Sequence, residues 1–362
     1  MFVDERIMRS RCLNRTGHGD RQAHISGVNA ISRHINLSVA RSCFVRCPAC
    51  YNHFGRPNRL VSSTTIVSFL RFARYRGFDR VTLCGGDPLS RPDILELLGD
   101  IRALGLRINL DTVGTPLLGD SRATFFGDGP VPSVDVTRLV ELVDLVGIPL
   151  DGSSNDVIAQ FRTGRSDLLS EQISILGLLD EAGAAICVNT VVHRGNLTDL
   201  GPIASRIELF SGVTKWQLFQ FSPSGPLGFH NRSTFEISEA SFTQAQHEIL
   251  SHRSTSLPPV VEFKSNSARD GAYLLVDSEG QVWTPDAGAH PSSQAAPGRH
   301  LLGTIEQRQH WHSILEFARR GATPDHNQPL HSPTRDLGSS PELGGSPQEH
   351  ATGGVATCTP RR

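Results

Sequence analysis

No run of about 18 apolar residues occurs anywhere in the 362-residue chain, so nothing in it reads as a membrane-spanning helix. The first thirty residues mix Arg, Asp and His and lack the apolar stretch of a secretion signal. Net charge is equally scarce, with 35 basic against 36 acidic residues. Sequence-independent binding to a nucleic-acid polymer needs a basic footprint, so a small-molecule, nucleotide or peptide substrate is the expected partner instead. There is no solenoid repeat and no coiled-coil heptad. These absences lead to the expectation of a soluble, cytoplasmic protein, long enough for one barrel-sized domain and a deep site. Cysteine is sparse too, at seven residues, an odd number. Three of them crowd between Cys43 and Cys50, too tightly for an ordinary disulfide framework, and a metal site in a reducing compartment fits better.

Residues 1–30 show neither helical nor strand periodicity and are expected to form a loosely ordered extension. Between 31 and 235, β-rich runs alternate with helical stretches, and strand cores are expected at 35–39, 80–83, 107–110, 145–150, 185–192 and 215–221. Helices are predicted over 64–75, where Ile66, Val67, Phe69, Leu70 and Ala73 recur at helical spacing, and over 168–182, ending at Gly183. Strand followed by helix, repeated, implies parallel strands with right-handed crossovers, as an open sheet or a barrel-like wrap. Pro223, Gly225 and Pro226 then break the pattern, and residues 236–320 read as a small C-terminal α+β lobe with a helix over 238–252 and a hairpin around Ser278-Glu279-Gly280. Residues 321–362 carry almost no large apolar side chains and are expected to be disordered.

The cysteines sit in Ser42-Cys43-Phe44-Val45-Arg46-Cys47-Pro48-Ala49-Cys50-Tyr51-Asn52, directly after the first strand core. In a parallel α/β architecture that loop lies on the functional face. Three thiolates on one loop can ligate three irons of a cubane and leave the fourth iron for another ligand. A zinc site with His53 as fourth ligand, in a zinc-binding interaction module, is the alternative from a different class, although structural zinc usually draws its ligands from two separated pairs. Cys84 and Cys187 lie beside apolar strand residues and read as small core hydrophobes, while Cys12 and Cys358 fall near the termini.

The CxxxCxxC spacing with an aromatic residue after the last Cys resembles the signature of the radical S-adenosylmethionine (SAM) superfamily. That resemblance implies a partial (β/α)6 TIM-like barrel with Cys43, Cys47 and Cys50 holding a 4Fe-4S cluster. Its open iron would chelate SAM, and reductive cleavage of SAM would yield a 5'-deoxyadenosyl radical that abstracts hydrogen from substrate. Leu83-Cys84-Gly85-Gly86-Asp87-Pro88 resembles the Gly-Gly-Glu-Pro motif that grips the SAM amino group, with Asp87 one methylene shorter than the usual Glu. Asp111 and Thr112 stand where relatives carry a Thr-Asn-Gly segment, with Val113 in place of Asn. Asp151 lies in Ile148-Pro149-Leu150-Asp151-Gly152, which is similar to a Ser-Leu-Asp-Gly element, and Pro149 there suggests a strand end or bulge. By the same resemblance either Arg162 or Arg165 reaches the SAM carboxylate, Tyr51 lies on its adenine side, and Asn189 meets its ribose.

Lys215-Trp216-Gln217-Leu218-Phe219-Gln220, the segment 188–200 with Asn189, Asn196 and Asp199, and the segment 269–277 resemble the viperin group, whose members dehydrate nucleoside triphosphates. Lys215, Arg194 and Arg269 are the cations that could meet a triphosphate. The expectation is hydrogen abstraction from a small metabolite or nucleotide-like substrate, with electrons from a donor such as flavodoxin or ferredoxin. The alternative enzyme is a peptide-modifying one of natural-product biosynthesis; no second cysteine cluster follows the barrel, so one cluster is expected and not the auxiliary clusters that many peptide-modifying relatives carry.

Overall fold

The computed structural model describes residues 33–51, 60–251, 258, 260–269, 273–285 and 299–321, all inside a compact unit spanning 1–329. The extension 1–30, nearly all of the tail, His53, Cys12 and Cys358 lie outside the described residues. Six parallel strands form the frame: β1 (His34–Ala40), β2 (Arg80–Gly85), β3 (Arg107–Asp111), then, past the short hairpin β4 (Ser121–Ala123) and β5 (Gly129–Val131), β6 (Leu145–Pro149), β7 (Ile186–Val192) and β8 (Val213–Gln220). The connecting helices are α1 (Ser63–Tyr75), α2 (Ile94–Arg102), α3 (Val136–Leu142), α4 (Asn155–Ala159), α5 (Leu168–Glu181) and α6 (Leu200–Ile207). Each expected strand core falls within one residue or two of an observed strand. Pro149 is the last residue of β6, where its missing N–H costs the ladder nothing further.

Beyond β8 come α7 (Gly225–His230), α8 (Arg232–Phe235), α9 (Glu239–Ser251), β9 (Val260–Lys264), α10 (Asn266–Arg269), β10 (Leu274–Val276), β11 (Gln281–Pro285), β12 (Arg299–Thr304) and α11 (Arg308–Gly321). These strands extend the frame into one ten-stranded sheet, ordered β12-β11-β10-β1-β2-β3-β6-β7-β8-β9. Strand β9, parallel to β8, is not among the strands expected from the sequence; its Val-Val-Glu-Phe-Lys carries Glu262 and Lys264 at alternate positions, which puts both on one face.

The sheet has two unlike faces because side chains alternate along each strand. Ile35, Leu37, Val39, Val81, Leu83, Ile108, Leu110, Val146, Ile148, Ile186, Val188, Trp216 and Leu218 point to the helices and form the main core. The opposite face carries His34, Asn36, Ser38, Thr82, Cys84, Asp111, Asn189, Lys215, Gln217 and Glu262, and all of these but Asn36 bond to another of the set. Asn189 on β7 donates to Asp111 on β3 at 3.1 Å, although β6 lies between them. In a flat sheet, strands two apart are separated by about 9.5 Å, so the contact demands strong curvature toward this face. His34 on β1 also feels the charges of Lys215 and Lys264 on β8 and β9, at the far end of the sheet order. The sheet is thus a partial barrel around a polar lumen, with helices outside. Cys84 and Cys187 are buried as expected, but they lie on the lumen side and not in the apolar core. Cys84 contacts Ser38 and Tyr51, and Cys187 contacts Asn189 and Gln217. The strand period puts them on the face of Thr82 and Asn189.

Candidate active site

The cysteine loop leaves β1 at Ala40 and is pinned from five directions. Cys43 pairs with Phe125 in an antiparallel bridge, its N–H donating to the Phe125 carbonyl at 2.9 Å. Arg46 and Thr163 exchange backbone bonds of 2.8 and 2.7 Å. The Pro48 carbonyl accepts from Asn231 Nδ2 at 2.7 Å, and the Tyr51 carbonyl accepts from Arg299, whose guanidinium stacks 4.1 Å from the Trp283 ring. The fifth anchor is the Gly85-Gly86 shelf, where the Gly86 N–H donates to the Ala40 carbonyl at 2.8 Å and the Asp87 N–H to the Ser42 carbonyl at 2.7 Å. Gly85 has φ +133°, and a Cβ on Gly86 would meet the Arg41 and Ser42 carbonyl oxygens at 2.2 and 2.3 Å. The glycines therefore let the second strand end close directly beneath the cysteine loop.

Cys43, Cys47 and Cys50 are all unbridged thiols. Among the described residues, no three His, Cys, Asp or Glu side chains converge on one metal ion. A mononuclear zinc site gathers its ligands on one ion, and His53, the fourth ligand of the zinc alternative, lies outside the described residues; a cubane assigns each thiolate to a different iron. Burial pushes the Cys43 and Cys47 thiols up, with Arg162 opposing the shift at Cys47. Iron binding supplies the positive charge that a buried thiolate needs, so donor set, spacing and burial fit a 4Fe-4S cluster.

Arg162 Nη1 lies 3.6 Å from Cys47 Sγ, and its Nε donates to Asp151. Asp151 is fully buried and also accepts from the Val191 N–H at 2.7 Å, so strand β7 fixes the carboxylate that fixes the guanidinium. Asp151 and Cys47 more than offset the burial of Arg162 and hold its pKa up. Arg165 points elsewhere and pairs with Glu171 at 2.7 Å on α5. The structure thus separates two arginines that the sequence left equivalent: only Arg162 reaches the cysteine loop. Asp151→Ala would leave Arg162 buried without its counter-ion, a change expected to cost about 3–5 kcal/mol. Denaturant unfolding of the variant checks this, and an unshifted midpoint would show the pair to be dispensable.

Asp87 is likewise buried, but its oxygens are spoken for within the protein. They accept from the Leu89 N–H at 2.9 Å, Thr112 Oγ1 at 2.7 Å and the Val113 N–H at 2.7 Å. Burial lifts its pKa to about 6 against these bonds. The shortened side chain caps the turn that begins at Pro88 and ties β2 to the end of β3, with Thr112 in turn accepting from the Gly114 N–H at 2.9 Å. Tyr51 aims its hydroxyl at Cys84 Sγ, 3.8 Å away, so its ring spans from the cysteine loop to the lumen wall. Asn189 belongs to the lumen, with Asp111 and Cys187.

The lumen holds residues that motif reasoning passed over. Lys215 and Lys264, the only lysines in the chain, bind the two oxygens of Glu262 at 3.0 and 3.1 Å. Gln217 Nε2 donates to Glu262 at 2.6 Å, and this set holds the Glu262 pKa down at about 2 against burial. The signal was present in the alternation of β9, but the strand itself went unread. Of the other cations considered for an anionic substrate, Arg269 is buried near Phe219, whereas Arg194 lies exposed and donates to the Glu236 carbonyl at 3.3 Å.

A parallel barrel that presents three thiols on one loop at the strand ends, over a polar lumen, defines an iron–sulfur enzyme of the α/β-barrel class. The sequence model of the Radical SAM superfamily matches residues 37–199. A PqqA peptide cyclase from Streptomyces rochei is 29% identical over 185 residues, covering 48% of this chain and 46% of the relative. An S-adenosylmethionine-dependent nucleotide dehydratase from Lacinutrix mariniflava is 23% identical over 287 residues, covering 75% of this chain and 55% of the relative. The chain therefore spans about half the length of these two relatives. The structure of Streptococcus suis SuiB bound to S-adenosylmethionine superposes with a TM-score of 0.55 at 12% identity, over 77% of this chain and 64% of that one. The match identifies residues 37–199 as a radical SAM domain, and members of that superfamily use a 4Fe-4S cluster and SAM.

Proposed function

We propose that this radical SAM enzyme modifies a small, polar, anionic metabolite of nucleotide-like character held in the barrel lumen. The observation that carries the reading is the lumen itself. Both lysines of the chain converge there on a single carboxylate, which leaves one net positive charge at the Gln217 end of the lumen. Enclosed polar groups with a surplus cation suit a compact anion, because the charge is desolvated already and a ligand anion restores its balance. The similarity to the nucleotide dehydratase extends over three quarters of the chain, while that to the peptide cyclase covers about half of it, and both facts favour the nucleotide-like reading. A peptide substrate is the second reading, supported by the peptide cyclase relatives.

When bound, the cluster and SAM supply the organic radical that removes a hydrogen atom from substrate. The chain's own part is positioning. Cys43, Cys47 and Cys50 hold three irons. The Gly85-Gly86 backbone and the buried turn at Asp87 and Pro88 shape the amino end of the SAM site, with Thr112 bracing that turn. Asp151 holds Arg162 toward the SAM carboxylate, and Tyr51 walls the adenine side. Asp111 and Asn189 face the substrate space below.

The test is incubation of reduced, cluster-loaded enzyme and SAM with each of the four common ribonucleoside triphosphates. A product lighter by one water, accompanied by 5'-deoxyadenosine, is expected from at least one. Absence of any such product from all four would remove the triphosphate version.

A further inference from the structure

We propose that Asp111 is the proton acceptor of the enzyme, taking the proton of a substrate hydroxyl carried on the carbon that has lost its hydrogen atom. The inference rests on the reading of the lumen as the substrate site. Three carboxylates lie about the cysteine loop and lumen, Asp87 and Asp151 buried and Asp111 half-buried, and the first two are consumed by the fold: Asp87 accepts three hydrogen bonds, and Asp151 accepts from Arg162 and Val191. Asp111 accepts one, from Asn189 Nδ2, on an acceptor that can take about four. No cation pairs with it among the described residues. The titratable groups that face it are Tyr51 from the cysteine loop, Cys84 from β2 and Cys187 from β7, and all three are neutral near pH 7. On the same lumen face, Asn36 Nδ2 on β1 is buried without a hydrogen-bond partner. Buried polar groups that the protein leaves unmatched are the places where a ligand's donors and acceptors belong.

The single bond to Asp111 is itself a built feature. Strand β6 lies between Asp111 and Asn189, and the residue between them is Gly147, paired with Asp111 on one side and Cys187 on the other. A Cβ at Gly147 would lie 2.0 Å from Asp111 Oδ1 and 2.7 Å from Asn189 Nδ2. Glycine at this position lets an amide from two strands away aim the carboxylate into the lumen. Asn189 also connects through Cys187 and Gln217 to Glu262 and the lysines, so a continuous chain of polar contacts runs from Asp111 to the cationic end of the lumen. That arrangement has two carboxylates with opposite displacements: burial raises Asp111 to about 6, and the lysines hold Glu262 near 2. Such divergence separates a proton-transferring group from one that stays ionised.

The step balances without any outside redox partner. A carbon that has become a radical makes its own hydroxyl more acidic. The Asp111 carboxylate takes that proton, giving a carboxylic acid and a radical whose oxygen carries the negative charge, with no change in electron count. A base of this strength works best where its ionised fraction is high, so conversion should rise with pH through about 6 and then level off.

The test uses the cluster-loaded protein with SAM bound, unsubstituted and as D111N, which is isosteric, keeps an oxygen for Asn189 and loses the charge and the ability to accept a proton. Infrared titration should show carboxyl signals with midpoints near 6 from both Asp87 and Asp111, and the difference between the two proteins should isolate the Asp111 part, which the variant lacks. The SAM dissociation constant should agree within about twofold between the two. Conversion of whichever ribonucleoside triphosphate the enzyme accepts should fall about a hundredfold or more and lose its acid limb. A variant that keeps both rate and acid limb overturns the assignment, and so does a loss of SAM affinity of about tenfold, which would make Asp111 a SAM contact. If the unsubstituted enzyme accepts no triphosphate, the nucleotide reading fails by itself. The titration and the SAM affinity then decide the role of Asp111, and no carboxyl midpoint attributable to it would sink the proposal.

Discussion

Replacement of Cys47 by alanine is expected to abolish the reductive release of 5'-deoxyadenosine from SAM and to strip most of the iron from the protein. Of the three loop thiols, Cys47 is the one that a buried guanidinium approaches, at 3.6 Å from Arg162 Nη1. A cation held there by Asp151 stabilises the anionic sulfur that iron requires, so the loss removes a ligand and also strands Arg162 against an empty corner. Anaerobically reconstituted unsubstituted protein should carry about four irons per chain, and the variant far fewer. Chromatography of the reaction with a strong reductant reads the second effect. Unchanged 5'-deoxyadenosine release in the variant would count decisively against the loop as cluster site. Stoichiometric zinc in place of iron would favour the interaction-module alternative.

The second large effect is expected from Gly86→Ala, a change of one methyl group. Its Cβ would sit 2.2 Å from the Arg41 carbonyl oxygen and 2.3 Å from that of Ser42, and both obstacles are backbone of the cysteine loop. A flexible side chain could swing aside, but this backbone is held by the bonds from Gly86 and Asp87 to Ala40 and Ser42. Something in the loop must move, at a cost of about 3 kcal/mol if the overpacking cannot relax. The thermal midpoint should fall by several degrees, and cluster occupancy should fall with it because Cys43 follows Ser42 directly. Alanine at 86 with a normal midpoint and full iron content would show that the close approach is not required. At Gly99, where nothing lies within 4 Å of an added Cβ, the same substitution serves as control.

Much of the frame was legible because strand and helix periodicities are local. The runs at 35–39 and 80–83 declare themselves by apolar alternation, and observed strands β1 and β2 extend them by only a residue or two. The cysteine loop was equally plain, since three ligands within eight residues can be read without knowing what lies across the barrel. The lumen was not. Cys84 and Cys187 looked like core residues because their sequence neighbours are apolar, and only the curvature of the sheet turns their side chains toward Tyr51 and Asn189. Arg162 and Arg165, three apart, could not be ranked until the turn after α4 sent one to Asp151 and the other to Glu171.

Chemistry that one short segment can carry was therefore written in the chain: a strand, a three-thiol loop and a pair of glycines. Chemistry that needs partners from distant strands was not. Asp111, Gly147 and Asn189 are 36 and 42 residues apart along the chain (147 − 111 and 189 − 147), and their meeting follows from register and sheet curvature. A carboxylate becomes a base of unusual strength only when folding removes water and withholds a cation. That decision is made by the whole barrel, through burial, after the local pattern has done its part.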